Sequence, residues 1–355
     1  MTMVTDLDKM SPNRWHLLHT QQEGDAVTFR RQHHGGGCFD STRGRLVLYG
    51  CDTHGIDWLN SPLIFDPETL TWTRCYEDDD VSTYRINGEG LPVAGTGGDH
   101  PWTTHTFGAV TYDPERDEMV VSCHPEHMVP GRFTDALEHL KWESIRYHPT
   151  WAFRMDEGKW YPLPTEPVSF FPYATAWDSD RKAVVGYKAQ GVWELAGETR
   201  RWKQTLDQGV LGYHNNAVYD SSQKAVVVFG ENTNSNDVVV YDTQTQQQRV
   251  MPTPGDRPPE DQHCPMAFDP QTGKTVCVID RVVEKATGPG ERNRTASETW
   301  LYDLGDDAWT QVETAELPEG CGMNYNMDYD SVHGLCLLVT GNQGVLPSVW
   351  GMRVA

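Results

Sequence analysis

The stretch YHNNAVYDSSQKAVVVFG, residues 213–230, contains the pattern from which the fold of this chain is predicted. Two apolar runs flank the polar turn DSSQK; the first run ends on an aromatic residue and an aspartate, and the second ends on a glycine. Runs rich in Val and aromatic residues, joined by a turn rich in Asp and Ser, are typical of a β-hairpin. The stretch therefore predicts two antiparallel strands and a tight turn.

The same hairpin pattern occurs six times along the chain. The copies lie near 34–50, 105–123, 171–187, 213–230, 263–279 and 323–341, and their first strands end on Asp40, Asp113, Asp178, Asp220, Asp269 and Asp330. Self-similarity that recurs every few tens of residues is the signature of an architecture assembled from similar small units.

A second pair of strands follows the hairpin in most copies, as in SPLIFDPETLTW at 61–72 and ETWLYDLGDDAW at 298–309. The sixth copy lacks the closing Trp strand, and NRWHLL at 13–18 supplies a matching strand from the N-terminus. The repeat therefore predicts an all-β chain of six four-stranded units, with the N-terminal strand completing the last one.

The order of the strands in each unit resembles that of the kelch family: an apolar strand, a glycine-ended strand, an aromatic-Asp strand and a Trp strand. The resemblance implies a six-bladed β-propeller whose ring is closed by the N-terminal strand. The Gly-Gly doublet of kelch repeats is reduced to single glycines at Gly50, Gly230 and Gly341, so the repeat is divergent. We expect one propeller domain over residues 13–355, preceded by an N-terminal tail at 1–12.

The overall charge argues against two classes of partner. The chain has 51 Asp and Glu and 29 Lys and Arg, which gives a net charge of -22. This charge repels nucleic-acid phosphates and anionic membrane surfaces. The N-terminal residues lack a signal-peptide core and no 18-residue apolar run occurs, which favours a cytoplasmic protein with reduced cysteines. A small molecule or an oligosaccharide is the expected partner, and the oligomeric state is not predicted.

Histidine recurs at one register of the repeat. The sixth residue before the terminal aspartate is histidine in three copies, and the six residues are His34, Phe107, Pro172, His214, His263 and Asn324. In known propellers, ligand sites usually lie where the inner strands begin, so the resemblance implies that these residues meet at the mouth of the central channel.

Three neutral imidazoles are a typical ligand set for a divalent transition metal such as Zn²⁺ or Mn²⁺. We therefore predict a metal site of His34, His214 and His263, with His105 as a further ligand or base and Tyr173 as a proton donor or acceptor. The alternative is that these histidines are structural and hydrogen-bond neighbouring loop carbonyls.

Four further residues are predicted to bind the substrate. Trp58 and Trp102 are not accounted for by the repeat and could stack on sugar faces. Arg281 belongs to a basic loop, 280–294, which suits carboxylate recognition but is equally typical of a solvated loop. Asn324 shares the register of the histidines. The insert 123–149 predicts one amphipathic helical stretch that forms a lid or rim.

Three functions remain open from the sequence. The first is a metal-assisted lyase that cleaves a uronate-type carbohydrate by β-elimination, by analogy with propeller lyases that have a His-rich site. The second is a non-catalytic kelch-type interaction module. The third is a metal-free sugar mutarotase, since six-bladed kelch proteins include such enzymes. The fold alone does not select among them.

Overall fold

The structure is a computed structural model. It describes residues 6–30, 34–51, 59–122, 150–164, 173–231, 235–260, 264–285, 287, 294–318, 320–322, 324–341 and 344–355. Within these ranges the secondary structure is almost entirely β, which confirms the predicted all-β class. Three single turns of 3-10 helix are the helical elements of the described residues: Leu7–Lys9, Val81–Thr83 and Glu313–Ala315.

The strands are short and follow the predicted repeat. In chain order they are β1 (His16–Thr20), β2 (Gly36–Asp40), β3 (Arg45–Tyr49), β4 (Leu63–Asp66), β5 (Thr71–Arg74), β6 (Arg85–Ile86), β7 (Pro92–Ala94), β8 (His100–Pro101), β9 (Val110–Asp113), β10 (Glu118–Ser122), β11 (Thr150–Arg154), β12 (Lys159–Pro162), β13 (Ala174–Asp178), β14 (Ala183–Lys188), β15 (Gly191–Ala196), β16 (Arg201–Leu206), β17 (Asn216–Asp220), β18 (Ala225–Phe229), β19 (Val239–Asp242), β20 (Gln247–Val250), β21 (Met266–Asp269), β22 (Lys274–Glu284), β23 (Arg294–Asp303), β24 (Ala308–Gln311), β25 (Met327–Asp330), β26 (Leu335–Thr340) and β27 (Ser348–Met352).

The strands form six four-stranded antiparallel sheets. Sheet 1 is β2-β3-β4-β5, sheet 2 is β9-β10-β11-β12, sheet 3 is β13-β14-β15-β16, sheet 4 is β17-β18-β19-β20, sheet 5 is β21-β22-β23-β24, and sheet 6 is β25-β26-β27-β1. A small three-stranded sheet, β6-β7-β8, lies in the connection between sheets 1 and 2. The pairing of β1 with β27 confirms that the N-terminal strand completes the last four-stranded unit.

The aspartate that ends each first strand stabilises the turn that follows. In sheet 1, Asp40 Oδ1 accepts hydrogen bonds from the backbone N–H groups of Thr42 (3.0 Å) and Arg43 (3.1 Å). In sheet 4, Asp220 Oδ1 accepts from the N–H of Ser222 at 2.9 Å. An aspartate that hydrogen-bonds the backbone two and three residues ahead favours a tight turn. This explains why the repeat keeps an aspartate at this position.

The first strands of the six sheets contact each other in a closed cycle. Contacts run from β2 to β9, β13, β17, β21 and β25 in order, and β25 contacts β2 again. Polar side chains connect some of these neighbours: Asp328 Oδ2 on β25 accepts from the N–H of Phe39 on β2 at 2.7 Å, and Asn216 Nδ2 donates to the carbonyl of Cys264 at 2.6 Å.

The hydrophobic core lies between the sheets, so both faces of each sheet are covered. Six clusters of buried side chains each join two neighbouring sheets, and sheet 6 shares one such cluster with sheet 1. A sheet that is buried on both faces requires apolar residues in consecutive positions, as in AVVVF at 225–229.

The segment before β1 is anchored from Leu7 onward. Leu7 and Met10 are buried in the cluster between sheets 6 and 1, and the Trp15 Nε1–H donates to Thr299 Oγ1 of sheet 5 at 2.8 Å. Residues 1–5 of the predicted tail lie outside the described residues. The N-terminal segment therefore contributes apolar contacts before the strand begins.

Changing Leu18 to Ala tests whether β1 contributes to the core. Leu18 is fully buried between sheets 6 and 1. We expect the free energy of unfolding, measured by urea denaturation, to fall by about 2–5 kcal/mol, as for other buried leucines. Val250→Ala, at an exposed position of β20, is the matched control and should change stability by about 0.5 kcal/mol or less. Equal effects of the two substitutions would contradict the assigned role of β1.

Two bulk properties can be compared with the predictions. The seven cysteines in the described ranges are free thiols, and all but Cys75 are buried, as expected for reduced cysteines used in packing. No helix within these ranges has the length and apolar character needed to cross a bilayer.

Candidate functional site

Phe107 is surrounded by five other rings at the N-terminal ends of the first strands. The centroid distances from Phe107 are 5.0 Å to Tyr173, 5.3 Å to His214, 5.4 Å to His34, 5.6 Å to His105 and 5.7 Å to Tyr325. We call these six residues the aromatic-histidine cluster. They come from sheets 1, 2, 3, 4 and 6, or from the segments directly before them.

Backbone hydrogen bonds between neighbouring chain segments position the cluster. The N–H groups of Thr106 and Phe107 donate to the carbonyl of His34 at 3.0 and 2.9 Å, and the N–H of Gly108 donates to the carbonyl of Tyr173 at 3.0 Å. Side chains that begin adjacent strands are thereby held side by side, as the common register of the repeat predicts.

Two cluster residues have an unusual backbone conformation. Phe107 has a φ of 51° and His214 a φ of 66°, in the left-handed region that bulky residues seldom adopt. Non-glycine residues in this region occur more often at functional sites, where the surrounding structure maintains the strain. The conformation also places both rings in the cluster.

His34 and His105 stack on each other. Their ring centroids are 4.0 Å apart with an angle of 29° between the planes, and both side chains are buried. The stack therefore joins the segments that precede sheets 1 and 2 through direct ring contact.

His214 and Tyr325 form the second polar contact of the cluster. His214 Nδ1 and the Tyr325 hydroxyl lie 3.2 Å apart, within hydrogen-bond distance, and either atom can be the donor depending on the imidazole tautomer. Tyr325 is 3 % exposed, whereas His214 is half-buried. The neighbouring Tyr213 is 40 % exposed, and its ring contacts that of Tyr173 at 5.0 Å. The cluster therefore reaches the protein surface at His214, next to the exposed Tyr213.

Two of the three predicted metal ligands belong to the cluster. His34 and His214 both contact Phe107, and His263 lies outside the described residues. Among the residues that are described, no three His, Cys, Asp or Glu side chains are close enough to hold an ion together. The predicted metal site therefore depends on His263. The two predicted catalytic residues, His105 and Tyr173, lie in the cluster.

The predicted substrate-binding residues that the structure describes are not members of the cluster. Trp58 and the whole insert 123–149 are outside the described residues. Trp102 is 1 % exposed, stacks on Tyr84 and donates its Nε1–H to the carbonyl of Val93 at 2.8 Å. The indole therefore packs against the small sheet β6-β7-β8, whereas the sequence predicted that it stacks on a sugar face.

Asn324 and Arg281 also have structural partners. Asn324 is fully buried, donates to the carbonyl of Val339 at 2.8 Å and accepts from the N–H of Asn326 at 2.7 Å. Both ends of its amide therefore bind backbone groups of sheet 6. Arg281 is 51 % exposed and forms ion pairs with Glu298 (3.2 Å) and Glu316 (3.6 Å). The structure thus assigns Asn324 to the backbone network and Arg281 to a surface ion-pair network.

Tyr325 was not predicted from the sequence, although a signal for it exists. It is the fifth residue before the terminal Asp330, the same register that Tyr173 occupies before Asp178. The histidines of the repeat lie one position earlier. Five of the six cluster residues lie in these two registers, and His105 precedes Phe107 by two residues.

A cavity of about 360 Å³ lies among the six first strands. It extends from Gly108 and Tyr325, beside the aromatic-histidine cluster, to the turns at the opposite ends of the strands. There it is lined by the residue that follows each terminal aspartate: Ser41, Pro114, Ser179, Ser221, Pro270 and Ser331. We call it the inner cavity. Tyr325, a member of the aromatic-histidine cluster, also lines the inner cavity.

Asp328 is the one carboxylate among the described residues that line the inner cavity. Its Oδ2 accepts from the N–H of Phe39 and its Oδ1 from the N–H of Tyr329, both at 2.7 Å. Burial of the carboxylate raises the pKa of Asp328 from 3.8 to about 6, although the two backbone hydrogen bonds oppose this shift. The carboxylate is thus less favourable in the folded protein than in the unfolded chain.

The raised pKa predicts a defined pH dependence of stability. Between about pH 4 and 6, the folded protein binds more protons at Asp328 than the unfolded chain does, so its contribution to stability falls as pH rises. At pH 7 the cost is on the order of 2–3 kcal/mol, since one pKa unit corresponds to about 1.4 kcal/mol. We expect Asp328→Asn to remove this slope in urea unfolding from pH 4.5 to 7. Identical slopes for both proteins would contradict the assignment.

Comparison with protein-family models gave no match, and a search of curated proteins gave none either. The function is therefore argued from the geometry of the site.

Proposed function

We propose that the six sheets are the blades of a six-bladed β-propeller of a divergent kelch type, closed by β1. Three observations support this architecture. The first strands contact each other in a closed cycle, six hydrophobic clusters join neighbouring sheets in the same cyclic order, and the sixth sheet combines strands from both ends of the chain. Closure of this kind buries both faces of every sheet and leaves no open end in the stack.

On this fold, we propose that the aromatic-histidine cluster is the active site of an enzyme that acts on an acidic carbohydrate by proton transfer. The observation that carries the proposal is the 3.2 Å contact between His214 Nδ1 and the Tyr325 hydroxyl, beside the exposed ring of Tyr213. Histidine and tyrosine are common general acids and bases, and an exposed aromatic ring suits the apolar face of a sugar.

The favoured reaction is β-elimination from a uronate. A base removes the proton next to the carboxylate, the bond to the leaving oxygen breaks, a carbon–carbon double bond forms, and an acid protonates the leaving oxygen. His214 is the proposed base, because the Tyr325 hydroxyl orients its imidazole and the half-buried ring lies where the cluster reaches the surface. Tyr173, whose ring contacts those of His214 and Tyr213, is the proposed acid.

In a metal-assisted form of the reaction, His214 would be a metal ligand and not the base. A Zn²⁺ or Mn²⁺ ion held by His34, His214 and His263 would neutralise the substrate carboxylate. Because Nδ1 of His214 is engaged by Tyr325, Nε2 would then bind the ion and could not accept the substrate proton, so the base would be His105. The two forms therefore assign the base to different histidines.

Elemental analysis of the purified protein and of His34→Ala, His214→Ala and His263→Ala distinguishes these forms. We expect about one equivalent of Zn or Mn in the unaltered protein and a loss in each variant if the metal-assisted form is correct. A protein without metal, whose activity survives treatment with a chelator, would leave His214 as the base and remove the metal from the mechanism.

The lyase activity itself is tested on a panel of uronic-acid oligosaccharides. The double bond in the product absorbs ultraviolet light, so its appearance reports the elimination directly. Loss of the signal in His214→Ala is expected. No product from any member of the panel would contradict the lyase proposal.

Metal-free mutarotation of a sugar is the second candidate. His214 and Tyr173 can supply a base and an acid without an ion, and opening and closing of a sugar ring require only two such groups. Exchange between the two anomers, followed by NMR, tests it. A protein that binds sugars and catalyses neither reaction would instead fit an interaction module.

A further inference from the structure

Asp328 is an exception within the repeat. It stands two residues before the terminal aspartate, where the other copies have Cys38, Thr111, Ala176, Val218 and Ala267. Since these five first strands form without a carboxylate at this position, the fold does not require one. A charged group that is kept where small residues suffice indicates a role beyond packing.

The carboxylate of Asp328 has no cationic partner in the described part of the chain. Its recorded contacts are the two backbone N–H groups of Phe39 and Tyr329, and no Lys, Arg or His in that part forms an ion pair with it. Each carboxylate oxygen has a second lone pair to offer. A half-buried charge without a counter-charge is unfavourable, so an added cation at this position would be stabilised.

Aromatic residues line the same cavity as this carboxylate. Every first strand has an aromatic residue directly before its terminal aspartate, and all six line the inner cavity: Phe39, Tyr112, Trp177, Tyr219, Phe268 and Tyr329. The hydroxyl groups of Tyr112 and Tyr219 donate to Asp117 and Asp180. A cavity whose described lining combines aromatic side chains with one carboxylate suits an organic ammonium ion.

The size and the charge of the cavity support a ligand of this class. A volume of about 360 Å³ is within the range of small-molecule sites. Calcium would require six to eight oxygen ligands, which one carboxylate among aromatic rings does not supply. The net charge of -22 attracts cations to the molecule.

We propose that the inner cavity binds a small alkylammonium ion, which enters at the turn ends of the first strands and pairs with Asp328. The cavity reaches Tyr325 of the aromatic-histidine cluster at its other end, but binding at Asp328 does not depend on the enzymatic function proposed for the cluster.

Isothermal titration calorimetry with n-butylammonium chloride tests the proposal, with 1-butanol as the neutral ligand of equal size. We expect saturable one-to-one binding of the ammonium ion and no binding of the alcohol. Asp328→Asn keeps an acceptor for the N–H of Phe39, and Asp328→Ala resembles the other copies; both should weaken binding at least tenfold. Asp156→Asn, at an exposed position, removes the same charge and should bind like the unaltered protein.

The pH dependence of binding provides a second readout. Among the described residues that line the cavity, the titratable ones are Asp328, Cys38, Tyr112, Tyr219, Tyr325 and Tyr329. Burial raises the pKa of Cys38, Tyr112, Tyr219 and Tyr329, so these groups remain neutral at pH 5–8. The affinity should therefore fall about tenfold between pH 7.5 and 5 as Asp328 is protonated.

Several outcomes would overturn the proposal. They are the absence of butylammonium binding, equal binding of 1-butanol, unchanged affinity in both Asp328 variants, and saturable binding of calcium alone. Thermal unfolding of each variant shows whether a loss of binding reflects a loss of fold, and Asp328→Asn remains informative if Asp328→Ala is unstable.

Discussion

Replacing Tyr325 with Phe should lower kcat/KM on the sugar substrate by about 10²-fold, the usual cost when a catalytic group loses its orientation. The substitution removes only the hydroxyl, which lies 3.2 Å from His214 Nδ1, and keeps the ring that packs on Phe107. The effect should appear mainly in kcat, because the buried hydroxyl of Tyr325 orients His214 and does not itself bind the sugar.

Two comparisons separate this effect from a general disturbance. Tyr219→Phe removes a hydroxyl at the turn end of the first strands, where it donates to Asp180, and should leave kcat unchanged. The double variant Tyr325→Phe with His214→Gln should lose little more activity than His214→Gln alone, because residues that act as one unit have non-additive effects. Full additivity of the two substitutions would show that the hydroxyl and the imidazole act independently.

The sequence predicted the β architecture because the information lies in short stretches. Each hairpin contains its own turn aspartate, and the alternation of apolar runs and polar turns is visible without knowledge of tertiary contacts. The completion of sheet 6 by β1 was predictable because one unit lacked a strand that the N-terminus supplied.

The site was predictable only where it follows the repeat. His34 and His214 share one register, and Tyr173 lies one residue further along, so their convergence follows from the symmetry of six equivalent strands. The positions of two other side chains are set by tertiary contacts: Trp102 binds the carbonyl of Val93, and Asn324 binds the carbonyl of Val339. Such contacts arise from tertiary packing and loop geometry, and no local pattern distinguishes a buried Trp or Asn from an accessible one.

The stacking of His34 on His105 is a further property that the sequence does not indicate. His105 precedes Phe107 by two residues. The left-handed backbone of Phe107 changes the direction of the chain between His105 and the start of β9. The backbone conformation of a single residue therefore determines which rings meet.

Phe107 should consequently be the most sensitive position of the cluster. Its side chain is fully buried against five rings, so Phe107→Ala should lower the free energy of unfolding by about 3–5 kcal/mol. Within regular structure, a glycine usually lowers the free energy of unfolding by about 0.5–1 kcal/mol relative to alanine. At a φ of 51°, however, glycine avoids the strain that any side chain incurs. Phe107→Gly should therefore be at least as stable as Phe107→Ala.

Phe153 is the matched control for this comparison. It is equally buried but lies within β11, where glycine has no conformational advantage. In urea unfolding we expect Phe153→Gly to be about 1 kcal/mol less stable than Phe153→Ala, whereas the order at Phe107 should be equal or reversed. The same order at both positions would mean that Phe107 does not have a left-handed backbone, and the geometry that brings His34, His105 and His214 together around it would then have to be revised.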